Sequence, residues 1–157
     1  MFRPTGFADL AGRRVGIWGY GVEGRASEAR IRSLTDRVVL VDDHPETGSA
    51  VLATAHEGYA ALLACDVVLK SPGIPRRRDD VLELERRGVV VTSALNLWLL
   101  DTDRSRVVAV TGTKGKSTTT ALCTFFLQCV GESAQSRGNM AHRPTIRPSR
   151  RRRTGSC

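Results

Sequence analysis

The feature that most restricts this chain is a repeated pair. A short run, apolar save for a charged first residue in two cases, ends in glycine, aspartate or a polar turn, and a segment of helical character follows. The runs are Arg14-Val15-Gly16-Ile17-Trp18, Val38-Val39-Leu40-Val41, Asp66-Val67-Val68-Leu69 and Val89-Val90-Val91. Between and after them, residues 23–34, 57–64 and 94–100 read as helices. A further helix starts at Asp79, a candidate N-cap, and Gly88 can close it. Strands that alternate with helices imply a parallel sheet with crossovers. Strands that are apolar throughout, rather than at every second residue, imply a sheet covered on both faces. Residues 1–103 are therefore expected to form a doubly wound α/β domain.

A polar stretch, Asp101-Thr102-Asp103-Arg104-Ser105, reads as a linker. After it, Val107-Val108-Ala109-Val110 predicts a new strand and Lys116 to Val130 a new helix. Residues 104–132 thus look like the first strand, loop and helix of a second α/β domain. Residues 133–157 form an Arg-rich tail without aromatic residues or apolar periodicity.

Charge divides along the same line. The net charge is +8, from 24 Lys and Arg against 16 Asp and Glu. Seven of the basic residues are arginines beyond position 132, whereas every acid lies at or before Glu132. The body is close to neutral and the tail carries the excess. A basic face on a folded body would mark a phosphate-backbone footprint; a basic tail does not, and no nucleic-acid partner is expected. No apolar run nears the roughly 20 residues that span a bilayer. Residues 1–10 show no secretory leader, so a cytoplasmic setting is expected. Cys65, Cys123, Cys129 and Cys157 lack metal-ligand spacing and read as reduced packing residues.

Three segments carry chemistry. The first is Thr111-Gly112-Thr113-Lys114-Gly115-Lys116-Ser117, between a strand and a helix, the context of a phosphate-binding P-loop. Backbone N–H groups can curl around a phosphate there, and the helix N-terminus adds partial positive charge. Lys116 would reach the β/γ-phosphates and the Ser117 hydroxyl would ligate Mg²⁺. The usual first glycine is replaced by Val110, with Gly112 only three residues before Gly115, so the loop is a shortened variant.

The second segment, Gly19-Tyr20-Gly21-Val22-Glu23-Gly24, matches the G-x-G-x-x-G dinucleotide fingerprint, with Asp42 at the end of the next strand. Such a loop can hold a diphosphate, and Asp42 can accept hydrogen bonds from a ribose or base. Glu23 is awkward there, because a carboxylate repels a diphosphate unless a cation intervenes. The third segment, Lys70-Ser71-Pro72-Gly73-Ile74-Pro75, leaves the carboxyl end of a strand, beside the ligand crevice of such sheets. An NAD-type domain explains the second segment and leaves the first idle; a P-loop kinase does the reverse.

Together the three segments resemble the Mur ligases of peptidoglycan synthesis, closest to the branch that adds D-glutamate to UDP-N-acetylmuramoyl-L-alanine. The resemblance covers about residues 12–139. It implies a Rossmann-like first domain that binds the UDP end of the substrate, with Gly21, Val22 and Glu23 at the diphosphate. It also implies Asp42 and Asp43 at the uracil, and Ser71, Pro72 and Gly73 at the ribose-diphosphate side. Gly112, Thr113, Lys114, Gly115, Lys116, Ser117 and Thr118 would hold ATP, with Lys116 catalytic and Ser117 on Mg²⁺. Asn139 of Gly138-Asn139 would touch the UDP-substrate. The implied reaction is ATP-dependent ligation of glutamate to UDP-N-acetylmuramoyl-L-alanine.

Two residues depart from the pattern. Lys114 stands where the family usually has Asn, and Glu23 where it usually lacks an acid. Both suggest a sub-branch, with enzymes that add L-glutamate as the alternative. After Asn139 the pattern stops in Met140-Ala141-His142-Arg143-Pro144 and an arginine run. The chain therefore reads as an N-terminal fragment, inactive alone, with an out-of-frame or disordered tail.

Overall fold

β1, Val15–Trp18, lies at the centre of a five-stranded parallel sheet of order β3-β2-β1-β4-β5. A computed structural model describes residues 2–136. Asn139 and the arginine run of the expected tail lie outside the described residues. The chain divides into two compact units, one ending at Val107 and the other beginning at Val108.

In the first unit, β2 is Val38–Asp42, β3 Leu52–Ala53, β4 Val67–Lys70 and β5 Val90–Thr92. Val15 pairs with Val38 on one side and Val67 on the other, and Trp18 with Val41 and Lys70. The helices are α1 Val22–Ile31, α2 Tyr59–Leu63, α3 Asp79–Arg86 and α4 Ala94–Asp101. This is the doubly wound parallel α/β sheet that the alternation of runs predicts.

Both faces are covered, because strand residues alternate between them. On one face Trp18, Val41, Leu62, Val68, Val81 and Leu84 form a buried cluster fed by α2 and α3. On the other, Leu10, Val15, Ile31, Val67, Leu69 and Leu97 pack under α1, α4 and the N-terminal segment. Each such side chain contributes roughly 1.5–3 kcal/mol on burial. The Ser93 hydroxyl caps α4 by accepting from Asn96 N at 3.1 Å.

β3 leaves no mark in the sequence, because two residues at the sheet edge give no periodic signal. Two expectations are corrected. Asp79 is not the cap of α3. Arg78 occupies that position without a side-chain cap, and Asp79 lies in the first turn, where its charge favours the helix dipole. Finally, residues 107–110 form no ladder among the described residues. A strand exists by pairing, and an apolar run without a partner strand stays irregular.

The second unit contains one long helix, α5 (Lys116–Cys129), with no buried residue. Its apolar stripe follows i, i+3, i+4 spacing, yet within this unit Leu122, Phe125, Phe126 and Val130 are exposed. Phe125 and Phe126 meet edge to face, 5.8 Å between centroids. The cysteines divide accordingly. Cys65 is a packing residue whose thiol burial pushes up to about 11, whereas Cys129 is exposed.

Two outcomes follow from this packing. Leu62→Ala should cost about 2–5 kcal/mol, read by urea denaturation, because its side chain is fully buried between α2 and the sheet. The double variant Phe125→Ser/Phe126→Ser should bind distinctly less of a hydrophobic dye than the parent at unchanged far-UV circular dichroism.

Candidate functional site

All strands of the first unit run in one direction, so their carboxyl ends share one edge. The chain passes from β1 to β2 on one side and later to β4 on the other. Loops diverge at that reversal and leave a crevice, the usual ligand position in open α/β sheets. The topology brings to this edge Gly19 to Gly24 after β1, Asp42 and Asp43 at the end of β2, and Ser71 to Ile74 after β4.

The three glycines of the fingerprint differ in task. Gly19 has φ +93°, and a Cβ there would lie 2.5 Å from Ser71 Cβ, so the β1 and β4 loops touch. A Cβ on Gly24 would lie 2.4 Å from the Gly19 carbonyl oxygen, where α1 passes over the loop. Gly21, the N-cap of α1, is different: a Cβ there would meet no protein atom within 4 Å. The fold explains two of the glycines by contact and leaves the third facing open space. Val22, next to it, is 82% exposed. Glu23 lies in the first turn of α1 with its side chain exposed, a position in which its charge favours the helix.

Asp42 does not stand free at the mouth. Its Oδ2 accepts from Tyr20 N at 2.6 Å and its Oδ1 from His44 N at 2.9 Å. It pins the glycine loop to the end of β2. The Tyr20 hydroxyl donates to Glu28, which holds that carboxyl below its usual range and raises the tyrosine. Gly19 N donates to Val41 O at 2.8 Å and Ser71 N to Trp18 O at 2.7 Å, extending the ladder past the strands.

Asp43 is placed otherwise. It pairs with Arg78, whose guanidinium holds its carboxyl below the ordinary range. The folded pKa lies under the unfolded one. The pair therefore stabilises the fold above the unfolded value and is lost as pH falls through the folded value. Beside it, a cavity of about 590 Å³ opens between Asp43, Thr54, His56, Tyr59, Arg78 and Asp80. A smaller one, about 190 Å³, lies among Arg13, Asp66 and Gly88 and touches none of the motifs.

The Ser71-Pro72-Gly73 turn is built by its own bonds. Ile74 N donates to Ser71 O at 3.1 Å and Gly73 N to Ser71 Oγ at 3.3 Å. Lys70 Nζ donates to Ile74 O at 2.8 Å and closes the loop. The sequence places Lys70 at the head of this segment but gives it no role, and nothing in the sequence singles out Arg78.

In the second unit, Gly115 caps α5 at φ +75° and Gly112 stands at φ +152°. Lys116 Nζ folds back on the loop, 2.5 Å from Gly112 O and 3.4 Å from Thr113 O. Thr113, Lys114, Ser117 and Thr118 are exposed. The ammonium group thus stands inside the turn, where an anion would exchange with the two carbonyls. Among the described residues no group of three or more His, Cys, Asp or Glu could hold a metal ion. A Mg²⁺ at Ser117 would take its remaining ligands from phosphate and water, a donor set that suits this cation. Nor is any described helix long and apolar enough to cross a membrane.

No family model matches the chain. Curated relatives do. It is 41% identical over 85% of its length to a UDP-N-acetylmuramoyl-L-alanine–L-glutamate ligase of Micromonospora sp., covering 32% of that protein. It is 40% identical over the same share to the ligase of that name from Salinispora tropica, again covering 32%. A UDP-N-acetylmuramoylalanine–D-glutamate ligase of Fusobacterium nucleatum is 30% identical over 79% of the chain, which covers 28% of it. The chain spans about a third of the length of the relatives it matches.

Gly24→Ala should lower stability by about 1–3 kcal/mol, because the backbone must shift to admit the methyl group. Gly21→Ala, at an ordinary φ of −79° and in open space, should leave the melting temperature within error of the parent. Parallel thermal melts of the two variants check the contrast.

Proposed function

The chain belongs to the Mur ligase family, and we propose that its first unit binds the UDP end of UDP-N-acetylmuramoyl-L-alanine while the loop before α5 binds ATP. The observation that carries the first part is Gly21. No contact within the fold calls for a glycine there, and a ligand approaching the backbone does. Gly21, Val22 and Glu23 line the diphosphate side, Asp43 the base side, and Ser71, Pro72 and Gly73 the ribose-diphosphate side. Asp42 acts from behind, holding Tyr20 and the glycine loop in place. Asn139 completes the set by the family pattern.

The chemistry is ligation. A carboxylate is a poor acyl donor, and transfer of the γ-phosphoryl group of ATP onto it forms an acyl phosphate and ADP. The glutamate amine then attacks the acyl carbon, an amide forms, and phosphate leaves. Catalysis of the first step is largely positioning and charge neutralisation. Lys116 releases the carbonyls of Gly112 and Thr113 and turns its charge to the β/γ-oxygens. Backbone groups of Gly112 to Thr118 surround the phosphates. The Ser117 hydroxyl would hold Mg²⁺, which would supply further charge neutralisation.

The relatives of 40–41% identity bear L-glutamate in their names and the one of 30% bears D-glutamate. Together with Lys114 and Glu23, this favours L-glutamate as the second substrate, with D-glutamate the other reading. Both nucleotide substrates belong to the cytoplasm. The ligation requires the remaining two-thirds of length found in the relatives, and this 157-residue chain alone is expected to release no ADP.

Calorimetric titration of the chain with UDP, NAD and ATP separates the readings. UDP should bind, NAD should not, and Gly21→Val should weaken UDP at least about tenfold while ATP binding is kept. Lys116→Ala should do the opposite. Binding of NAD in place of UDP would return the first unit to the plain dinucleotide-binding class.

A further inference from the structure

Arg78 stands where three elements meet at the mouth of the crevice. Its Nη1 pairs with Asp43, just past β2. Its Nε donates to Asp80 Oδ2 at 3.0 Å, in the first turn of α3, and Nη2 lies 2.9 Å from the same oxygen. Its guanidinium lies 5.0 Å from the ring centroid of Trp18, the residue before Gly19. Trp18 is fully buried, and its Nε1 donates to Thr54 Oγ1 at 3.0 Å. The arginine is therefore held by Asp43, Asp80 and Trp18 while its side chain remains 30% exposed.

The charge balance around it is unusual for a site meant to take an anion. Asp42, Asp43 and Asp80 stand at this end of the sheet, and Glu23 follows the glycine loop. A diphosphate adds more negative charge. Without a fixed cation, Asp43 and Asp80 would be two unpaired carboxylates flanking the space the guanidinium fills, and both would oppose the ligand. A lysine could supply charge but not the rigid fork of donors that meets two separate carboxylates.

On the reading that this crevice takes UDP, we propose that Arg78 is the positioning and charge-balancing residue of the nucleotide site. It ties the loops after β2 and β4 together through Asp43 and Asp80, and it offsets the carboxylates that would repel the diphosphate. The brace on Asp43, at the base side, serves UDP and uridine alike, whereas the charge that Arg78 offsets acts on the diphosphate alone.

A merely structural role would weaken every ligand of the crevice alike. A charge-balancing role weakens the diphosphate far more than the neutral nucleoside. The test is calorimetric titration of the full chain with UDP and with uridine, for the parent, Arg78→Ala, Arg78→Gln and Arg78→Lys. Arg78→Ala should weaken UDP about 10–100-fold and uridine no more than about threefold, and added salt should weaken the parent's UDP binding more than the variant's. Arg78→Lys should restore much of the preference for UDP over uridine. Should Arg78→Ala lose its far-UV signal, Arg78→Gln, planar and uncharged, gives the same reading. Equal losses for the two ligands, or none for either, overturn the proposal. A parent chain that binds neither UDP nor uridine instead overturns the assignment of the crevice on which it rests.

Discussion

The first unit depends on how closely other elements approach β1. This strand is hydrogen-bonded on both sides, and its positions without side chains set the distances around it. At Gly16 an added Cβ would stand 2.7 Å from Leu62 Cδ2, so α2 packs directly on the strand backbone. At Gly19 the Ser71 turn takes that space, and at Gly24 α1 lies over the Gly19 carbonyl. One glycine in the strand, one in the loop after it and one in α1 thus bring the helix layer, the glycine loop and the β4 loop close together. Two glycines of the fingerprint are thus packing requirements first. Gly21 alone of the three has no such neighbour: a side chain there would point into open space.

The two neighbouring aspartates after β2 show how one residue of displacement separates tasks. Asp42 points at backbone N–H groups and serves as an internal brace, satisfying donors that a loop would otherwise leave to water. Asp43 points across the crevice at a guanidinium. Period-2 alternation at the end of a strand sends successive side chains to opposite faces, and the two carboxylates divide accordingly. Asp43, Arg78 and Asp80 thus form one charged cluster, and Asp42 takes no part in it.

Much of this was legible in the residues. Val38 to Val41 and Val67 to Leu69 are apolar at every position, and only a sheet covered on both faces uses such strands. The glycine loop and the Ser71 turn were legible because their residue types are needed for backbone reasons. What stayed hidden depends on long-range partners. β3 is two residues whose strand character comes wholly from Val41 and Asp42. Arg78 is indistinguishable in sequence from Arg76 and Arg77, and only Asp43, 35 residues away, singles it out. Val107 to Val110 has the composition of a strand, but composition does not supply a ladder. The direction of the Asp42 carboxylate depends on how the glycine loop folds over it, which spacing alone does not tell.

The strand order also governs when the domain can come into being. The strand made first ends in the middle, and both of its neighbours are made later: β2 begins 23 residues on from Val15, at Val38, and β4 52 residues on, at Val67. As the chain leaves the ribosome, β1 therefore waits with unpaired edges until β2 and then β4 emerge, and the second core face closes only with α4. Parallel pairing of this kind rests on distant contacts whose loop entropy is met before they reward it. The crevice, built from the loops of the first, second and fourth strands, therefore waits for β4, the last of the three to be made.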